Sequence, residues 1–369
     1  MSTMRAAIYE RCGPARDVLR VREIERPEPG PEDERGYEVF DAGDVALQSG
    51  ETLRDATLAY VTHGTLNARR DNAIVFPTCY AGRHEDNAWL IGPGQALDTD
   101  RYFVVVPDML GNGLSSSPSN AALGQGGPDF PRVTILDNVA LQHRLVAERF
   151  GVTRLPLVVG FSMGAQQAYQ WAVSYPDLVE RIIPICGAAR CAPHAWVFLE
   201  GVTAALKADA AWRDGRYDAP PEKGLRALGR VWAGWGRSQA WYRAHLYREQ
   251  GYATLEEFIV GDYEDAFLAW DANDLLAMAR TWQDADIGAT PGYDGDLDWA
   301  LGAIRARALV MPCTTDLYFP LEDSAAEVAR LPHAELRPID SLWGHAAGAG
   351  PTPRDAAFIA AGIAEWLAR

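Results

Sequence analysis

The stretch 155–165, LPLVVGFSMGA, constrains the fold of this chain more than any other. Its first residues form a short apolar run, which is typical of a strand buried on both faces. Gly160, Ser162 and Gly164 follow as G-x-S-x-G, and a helix-forming stretch then runs to Pro176. A strand, a glycine-flanked turn and a helix together lift a serine out of a sheet. The pattern predicts that Ser162 is a nucleophile; a glycine-rich connector with a structural serine is the alternative.

Other apolar runs alternate with helical patterns along the chain. Strands are predicted at 73–78, 102–107, 181–186, 308–313 and 334–339, and helices at 134–150, 321–330 and 353–367. Thr134 and Asp137 fit a capping box at the start of the first of these helices. The alternation predicts an α/β fold with a mostly parallel sheet and helices on both faces.

Residues 190–304 contain no strand-like run, and they hold eight of the twelve tryptophans, from Trp196 to Trp299. Helical periodicity dominates this segment. We therefore expect a helical lid at 190–304, inserted into a core formed by 37–189 and 305–369. Most of the tryptophans are expected to pack against one another in the lid, with a substrate cage as the alternative.

A nucleophilic serine needs a base, and the base needs an orienting acid. Asp316 directly follows the predicted strand ALVMPC and two threonines, at the edge where the carboxyl ends of parallel strands meet. His345 lies in the loop after the last predicted strand. The order serine, acid, histidine is typical of a serine nucleophile in this strand–turn–helix context. These positions predict the triad Ser162–Asp316–His345.

Two backbone N–H groups are expected to stabilise the oxyanion: that of Met163, and that of Cys79 or Tyr80 after the strand at 73–78. Cys79 as a nucleophile is a weaker alternative, because nothing near it in the sequence supplies a base. Asp108 is the reserve acid, whereas Asp340 lies on the final predicted strand rather than after the preceding one. His84 is a candidate substrate contact. Four further histidines are expected to be surface or core residues: His63, His143, His245 and His333.

The net charge of −16 on 369 residues argues against nucleic acid and anionic membranes as partners. No run of eighteen apolar residues and no secretory signal are visible, so neither a spanning helix nor export is expected. Five cysteines without C-x-x-C spacing or zinc-finger histidines favour free thiols in a reducing cytoplasm and no metal site.

Residues 4–34 resemble the opening of the medium-chain quinone oxidoreductases. No G-x-G-x-x-G follows a strand downstream, so no nicotinamide cofactor is expected. We interpret residues 1–36 as an N-terminal extension, either an appended hairpin or a relic of gene fusion. Its proline-rich and acidic part at 26–34 has the composition of a linker.

Several longer stretches resemble the homoserine O-acetyltransferase branch of the α/β-hydrolases: IGPGQALDTDRYFVVVPDMLGNG, GFSMGAQQAYQWAVSYPDLVERIIPI, LKADAAWRDGRY, FLAWDANDLLAMARTWQDADIG and WGH. The resemblance implies the α/β-hydrolase fold, the triad named above, an acyl-serine intermediate and a helical lid. It also implies an aspartate and an arginine that hold homoserine. This chain has Ala346 and Thr203 at those two positions.

Burying a zwitterion without either charged partner is costly, so homoserine is not the expected acceptor. We expect a serine hydrolase that cleaves small uncharged, acetyl-type esters and uses no cofactor. The alternative is an O-acyltransferase that moves an acetyl group from acetyl-CoA to another alcohol. A binding protein on the same fold is a third, non-enzymatic hypothesis. The partner is a small-molecule ester, and a homodimer is one option for the assembly.

Overall fold

A computed structural model describes residues 36–369 and the backbone of two N-terminal strands, β1 (Thr3–Ile8) and β2 (Arg20–Glu25). These two strands pair antiparallel over their whole length. The chain divides into two compact units, Met1–Glu38 and Val39–Arg369. The predicted linker at 26–34 lies outside the described residues.

The main sheet has eight strands, of which most run parallel. Their spatial order is β12 (Ala334–Leu336), β11 (Arg307–Val310), β10 (Arg181–Ile185), β9 (Leu157–Phe161), β5 (Ala73–Val75), β8 (Phe103–Pro107), β4 (Thr52–His63) and β3 (Glu38–Ala46). Neighbours from β12 to β8 pair parallel, and β4 is antiparallel to β8. A separate parallel pair is formed by β6 (Ile91–Gly92) and β7 (Leu97–Asp98). The predicted mostly parallel sheet is confirmed.

The α-helices of the described residues are α1 (Ile135–Arg144), α2 (Met163–Ser174), α3 (Pro193–Lys207), α4 (Glu222–Gly236), α5 (Gln239–Arg243), α6 (Leu255–Phe258), α7 (Asp265–Leu268), α8 (Ala272–Gln283), α9 (Leu297–Ala303), α10 (Leu321–Val328) and α11 (Pro353–Ala368). Thr134 and Asp137 form the predicted capping box of α1. The helix expected at 134–150 changes to a π-helical turn at Leu145–Arg149.

Helices cover both faces of the sheet. Successive strand residues point to opposite faces, so each strand contributes to two cores. Val158 packs in the core that contains residues of α1 and α2. Its neighbour Val159 packs in the core that contains Ile359 and Ile363 of α11. The predicted α/β layering with helices on both faces is therefore confirmed.

Helices α3 to α9 all lie in the long connection between β10 and β11. Arg190, at the start of this insertion, forms an isolated antiparallel bridge with Asp286, which precedes α9. Ile287 donates its N–H to the Ala189 carbonyl, and Cys191 donates to the Ala285 carbonyl. We call this bridge the neck of the insertion; the sequence did not predict it.

Glu327 of α10 is a buried carboxyl at the neck, and its Oε1 accepts the Ala189 N–H at 2.8 Å. Burial raises the pKa of Glu327 from 4.5 to about 8. The folded protein therefore binds this proton more tightly than the unfolded chain, so the contribution of Glu327 to stability falls as pH rises through that interval. We expect Glu327→Gln, relative to the native protein, to raise Tm more at about pH 9 than at about pH 5.

Thermal unfolding at the two pH values measures this difference. The exposed Glu322, on the same helix, provides the matched control Glu322→Gln. Equal Tm differences at both pH values for Glu327→Gln would contradict the prediction.

Candidate active site

Ser162 occupies a tight turn between β9 and α2, with φ 57° and ψ −122°. A side chain at Gly160 would overlap the Gly164 carbonyl, and a Cβ at Gly164 would lie 2.7 Å from the Pro77 carbonyl oxygen. Only glycine fits such close backbone approaches. This packing holds Ser162 in a backbone conformation that L-residues rarely adopt, at the carboxyl end of β9. The structure thus has the strand–turn–helix context that the sequence predicts.

Three side chains from separate loops meet at this turn. Ser162 Oγ lies 2.9 Å from His345 Nε2, and His345 Nδ1 lies 2.7 Å from Asp316 Oδ2. The other carboxylate oxygen, Asp316 Oδ1, accepts the backbone N–H groups of Tyr318 and Phe319 at 2.8 and 3.2 Å. The side chain of Asp316 is fully buried, and that of His345 is 12% exposed. The structure therefore brings all three predicted triad residues into one hydrogen-bonded chain.

Thr315 supports the loop that carries His345. Its hydroxyl donates to the Ser341 carbonyl at 2.7 Å and accepts the Gly344 N–H at 3.2 Å. The ring of Phe161 stacks on the imidazole at 4.8 Å between centroids. Sequence reasoning missed Thr315, for which the one available signal is its position beside Asp316.

The loop after β5 lies against the start of α2. Gln167 Nε2, on the first turns of α2, donates to the Thr78 carbonyl at 2.9 Å. Within residues 36–369, the backbone N–H groups of Met163, Cys79 and Tyr80 donate to no acceptor on another residue. Free N–H groups at a helix start attract negative charge. These are the three predicted donors for an oxyanion.

The Cys79 thiol lies in this loop. Burial raises the pKa of this thiol to about 12, so the thiol stays protonated at neutral pH. The thiolate is the nucleophilic form of cysteine. This result disfavours Cys79 as a nucleophile relative to Ser162.

Asp108, the alternative candidate for the acid of the triad, forms hydrogen bonds with His84. Its Oδ2 lies 2.8 Å from His84 Nδ1, and its Oδ1 accepts the His84 N–H at 3.1 Å. Asn112 Nδ2 donates both to Asp108 Oδ1 and to the Gly82 carbonyl, at 2.9 and 3.2 Å. The hydrogen bond to Asp108 raises the pKa of His84. Asp108 and His84 thus stabilise the loop that carries Cys79 and Tyr80. Asp108 pairs with the imidazole of His84, whereas the imidazole of His345 pairs with Asp316.

Five buried aromatic side chains, which we call the aromatic wall, form one cluster that reaches the triad through Tyr318: Tyr80, Phe198, Trp232, Trp282 and Tyr318. Tyr80 stacks on Trp232 at 4.6 Å between ring centroids, and Tyr318 meets the His345 ring edge-to-face at 4.8 Å. Phe198, Trp232 and Trp282 come from α3, α4 and α8 of the insertion. The insertion therefore packs directly on the loops that carry Tyr80 and Tyr318.

The two positions that depart from the homoserine-binding pattern lie in different places. Ala346 is adjacent in sequence to His345. Thr203 lines a cavity of about 620 Å³ together with Trp196, Lys207 and Arg280, and Ser162 is not part of that lining. Of these two positions, Ala346 is therefore the one that bears on the choice of acceptor alcohol.

Residues 36–369 hold no group of three or more His, Cys, Asp or Glu side chains arranged to bind a metal ion. In the same part of the chain, no helix combines the length and apolar character needed to cross a bilayer.

Comparison with known proteins gives consistent matches over most of the chain. A family model described as the alpha/beta hydrolase fold matches residues 72–347. The chain is 40% identical over 315 residues to a probable esterase of Corynebacterium glutamicum, covering 84% of this chain and 89% of that protein. An ethyl acetate hydrolase of Pseudomonas veronii is 39% identical over 312 residues, with the same coverage.

Solved structures agree with these matches. The structure of the acetyl esterase MekB superposes with a TM-score of 0.88 at 38% identity, covering 90% of this chain and 97% of that chain. Homoserine O-acetyltransferases are among the further matches in both comparisons.

Proposed function

Because this chain belongs to the α/β-hydrolase family, in an esterase branch related to the homoserine O-acetyltransferases, we propose that it hydrolyses acetyl-type esters through Ser162. The chain is a carboxylic ester hydrolase, in agreement with the sequence prediction and with the names of its similar relatives. The observation that carries the proposed site is the hydrogen-bonded chain from Ser162 Oγ through His345 to Asp316.

In the proposed reaction, Ser162 Oγ attacks the ester carbonyl carbon while His345 Nε2 takes the hydroxyl proton. The N–H groups of Met163 and of Tyr80 or Cys79 stabilise the oxyanion that forms. His345 then gives its proton to the departing alcohol, which leaves an acyl-serine. A water molecule, activated by His345 at the same position, releases the carboxylic acid. Asp316 holds the imidazole in the tautomer that this sequence of steps requires.

We propose that the insertion at 190–304 is the predicted lid, with 37–189 and 305–369 as the core. The packing of Phe198, Trp232 and Trp282 beside Tyr318 and His345 supports this assignment. A lid in this position excludes water and forms the wall against which the ester lies.

The enzyme is expected to favour ethyl acetate over homoserine as a substrate. A charged hydrogen bond contributes roughly 1.5–3 kcal/mol, and Ala346 offers none to an ammonium group. The loss corresponds to about tenfold or more in discrimination. We expect kcat/KM for ethyl acetate hydrolysis to exceed kcat/KM for acetyl transfer from acetyl-CoA to homoserine by at least that factor.

The experiment compares the two rates with one enzyme preparation, and Ser162→Ala provides the background for both. Ala346→Asp tests the reason directly, since it restores a negative charge beside His345 and should raise the homoserine rate. A homoserine rate equal to the hydrolysis rate in the native protein would contradict the proposal. Formation of a new ester with some other added alcohol would favour the alternative, an O-acyltransferase.

The names of the esterase relatives support a small-molecule ester as the partner of this chain. A homodimer and a cytoplasmic location are further proposals. The exposed side chains of Trp196 and Val197 on α3 support the first. Four free cysteines in the described chain, Cys79, Cys186, Cys191 and Cys313, are typical of a reducing compartment and support the second.

A further inference from the structure

The loop that carries His345 is held by hydrogen bonds from two different parts of the chain. From the core, the Thr315 hydroxyl donates to one carbonyl of this loop and accepts one of its backbone N–H groups. From the insertion, the Ser238 hydroxyl donates to the Leu342 carbonyl at 2.5 Å. Residues 341–345, which we call the histidine loop, are therefore held on the side of the core and on the side of the insertion.

The backbone of the insertion also lies directly against the histidine loop. Gly344 precedes His345 and has a φ of 62°. A Cβ on Gly344 would lie 2.8 Å from the Ser238 backbone nitrogen and 3.0 Å from the Arg237 carbonyl carbon. Only glycine combines this φ with so close an approach of two backbones. The peptide before His345 therefore packs on the insertion without an intervening side chain.

Ser238 makes two hydrogen bonds through one hydroxyl group. Its Oγ accepts the Trp241 N–H at 3.0 Å, which caps α5, and its proton is directed to the Leu342 carbonyl. Ser238 is 3% exposed and Trp241 is fully buried. The Trp241 ring also meets the ring of Trp343, in the histidine loop, edge-to-face at 5.8 Å between centroids. The cap of α5 and the contact with the histidine loop thus depend on the same side chain.

We propose that Ser238 is a positioning residue for His345, so that the insertion sets the geometry of the base. The inference rests on the proposed function. Proton transfer requires His345 Nε2 within hydrogen-bond reach of Ser162 Oγ, a distance of 2.9 Å in the structure. A small displacement of the histidine loop lengthens this contact and slows the chemical steps. Because Thr315 holds the loop only from the core, loss of the Ser238 hydroxyl releases the side that faces the insertion.

The test compares Ser238→Ala with Ser238→Gly in the hydrolysis of ethyl acetate. Both variants remove the hydroxyl, but glycine is a much better N-cap than alanine, so Tm should fall more in Ser238→Ala. We expect both variants to lower kcat by roughly three- to tenfold, with KM within about twofold of the native value. A loss of kcat that is similar in the two variants, while Tm differs, separates the positioning of His345 from the stability of α5.

A second readout follows Ser162 without ester turnover. An uncharged fluorophosphonate reacts with a nucleophilic serine when Oγ attacks phosphorus, fluoride leaves and the base takes the hydroxyl proton. The rate constant for labelling of Ser162 should fall in both Ser238 variants by a factor similar to that in kcat, because this step also depends on His345.

Thr254→Ala is the matched control. The Thr254 hydroxyl caps α6 by accepting the Glu257 N–H at 3.1 Å, so this variant removes another N-cap of the same insertion. We expect it to keep native kcat and a native labelling rate.

Native kcat and labelling rates in both Ser238 variants would overturn the inference alone, and so would an equal loss of kcat in Thr254→Ala. If the native protein is labelled but does not hydrolyse ethyl acetate, the proposed substrate is wrong, and the labelling rates decide the inference. A native protein that is neither labelled nor active would overturn the proposed function and the inference together.

Discussion

Ser162→Ala is expected to leave a folded protein whose turnover of ethyl acetate falls by about 10⁴-fold or more. Alanine cannot form the acyl intermediate, and His345 loses the hydroxyl that lies 2.9 Å from its Nε2. The side chain is small and 3% exposed, so its removal should alter packing little. Initial rates at saturating ester, with circular dichroism to verify folding, measure the effect.

The control for this variant is Ser174→Ala, at the far end of the same helix, where the hydroxyl accepts a bond from Gln170. It should keep nearly native turnover. A folded Ser162→Ala protein with most of its activity would remove Ser162 from the mechanism and leave the G-x-S-x-G turn as a structural connector.

Asp316→Asn is expected to lower turnover by about 10⁴-fold while the fold persists. The asparagine side chain of this variant can present its amide N–H₂ to His345 Nδ1, which favours the tautomer with the proton on Nε2. That tautomer cannot accept the proton of Ser162. The backbone N–H groups of Tyr318 and Phe319 retain an amide oxygen as acceptor, so the loop should hold its shape.

Asp340→Asn serves as the comparison, because Asp340 pairs with Arg354 at the protein surface and has no contact with the triad. Its turnover should remain close to native. Nearly native turnover in Asp316→Asn would show that another group orients His345. Asp108→Asn tests whether that group is Asp108, the alternative candidate for the acid, which pairs with His84 in the structure.

The positions of the strands and helices were largely predictable from the sequence. The length of a regular strand also depends on where a proline interrupts its hydrogen bonds, and an apolar run does not show this. The strand expected at 73–78 is a regular strand only over Ala73–Val75. Phe76 and Thr78 still donate to the β8 carbonyls of Val105 and Pro107, whereas Pro77 has no N–H to donate. The apolar run thus continues beyond the regular ladder.

The predicted triad residues could be found because each sits in a local pattern: a glycine-flanked turn, a strand end and a late loop. Phe198 and Thr315 carry no such signal. Phe198 lies on α3 and meets Tyr318 only through packing of the insertion on the core. Such a contact between distant parts of the chain leaves no periodic pattern in a single sequence. These residues could therefore be identified only from the structure.

The neck of the insertion has a consequence for how such enzymes diversify. The Arg190–Asp286 bridge brackets residues 191–285, and α9 then leads the chain on to β11. The parallel pairing of Ile182 with Ala308 is made within the sheet itself. Residues between the two sides of the bridge can be exchanged, lengthened or recombined without moving the strand ends that carry Ser162 and Asp316. New specificities can therefore arise by replacing one contiguous segment, which a single crossover event at each side of the bridge would deliver.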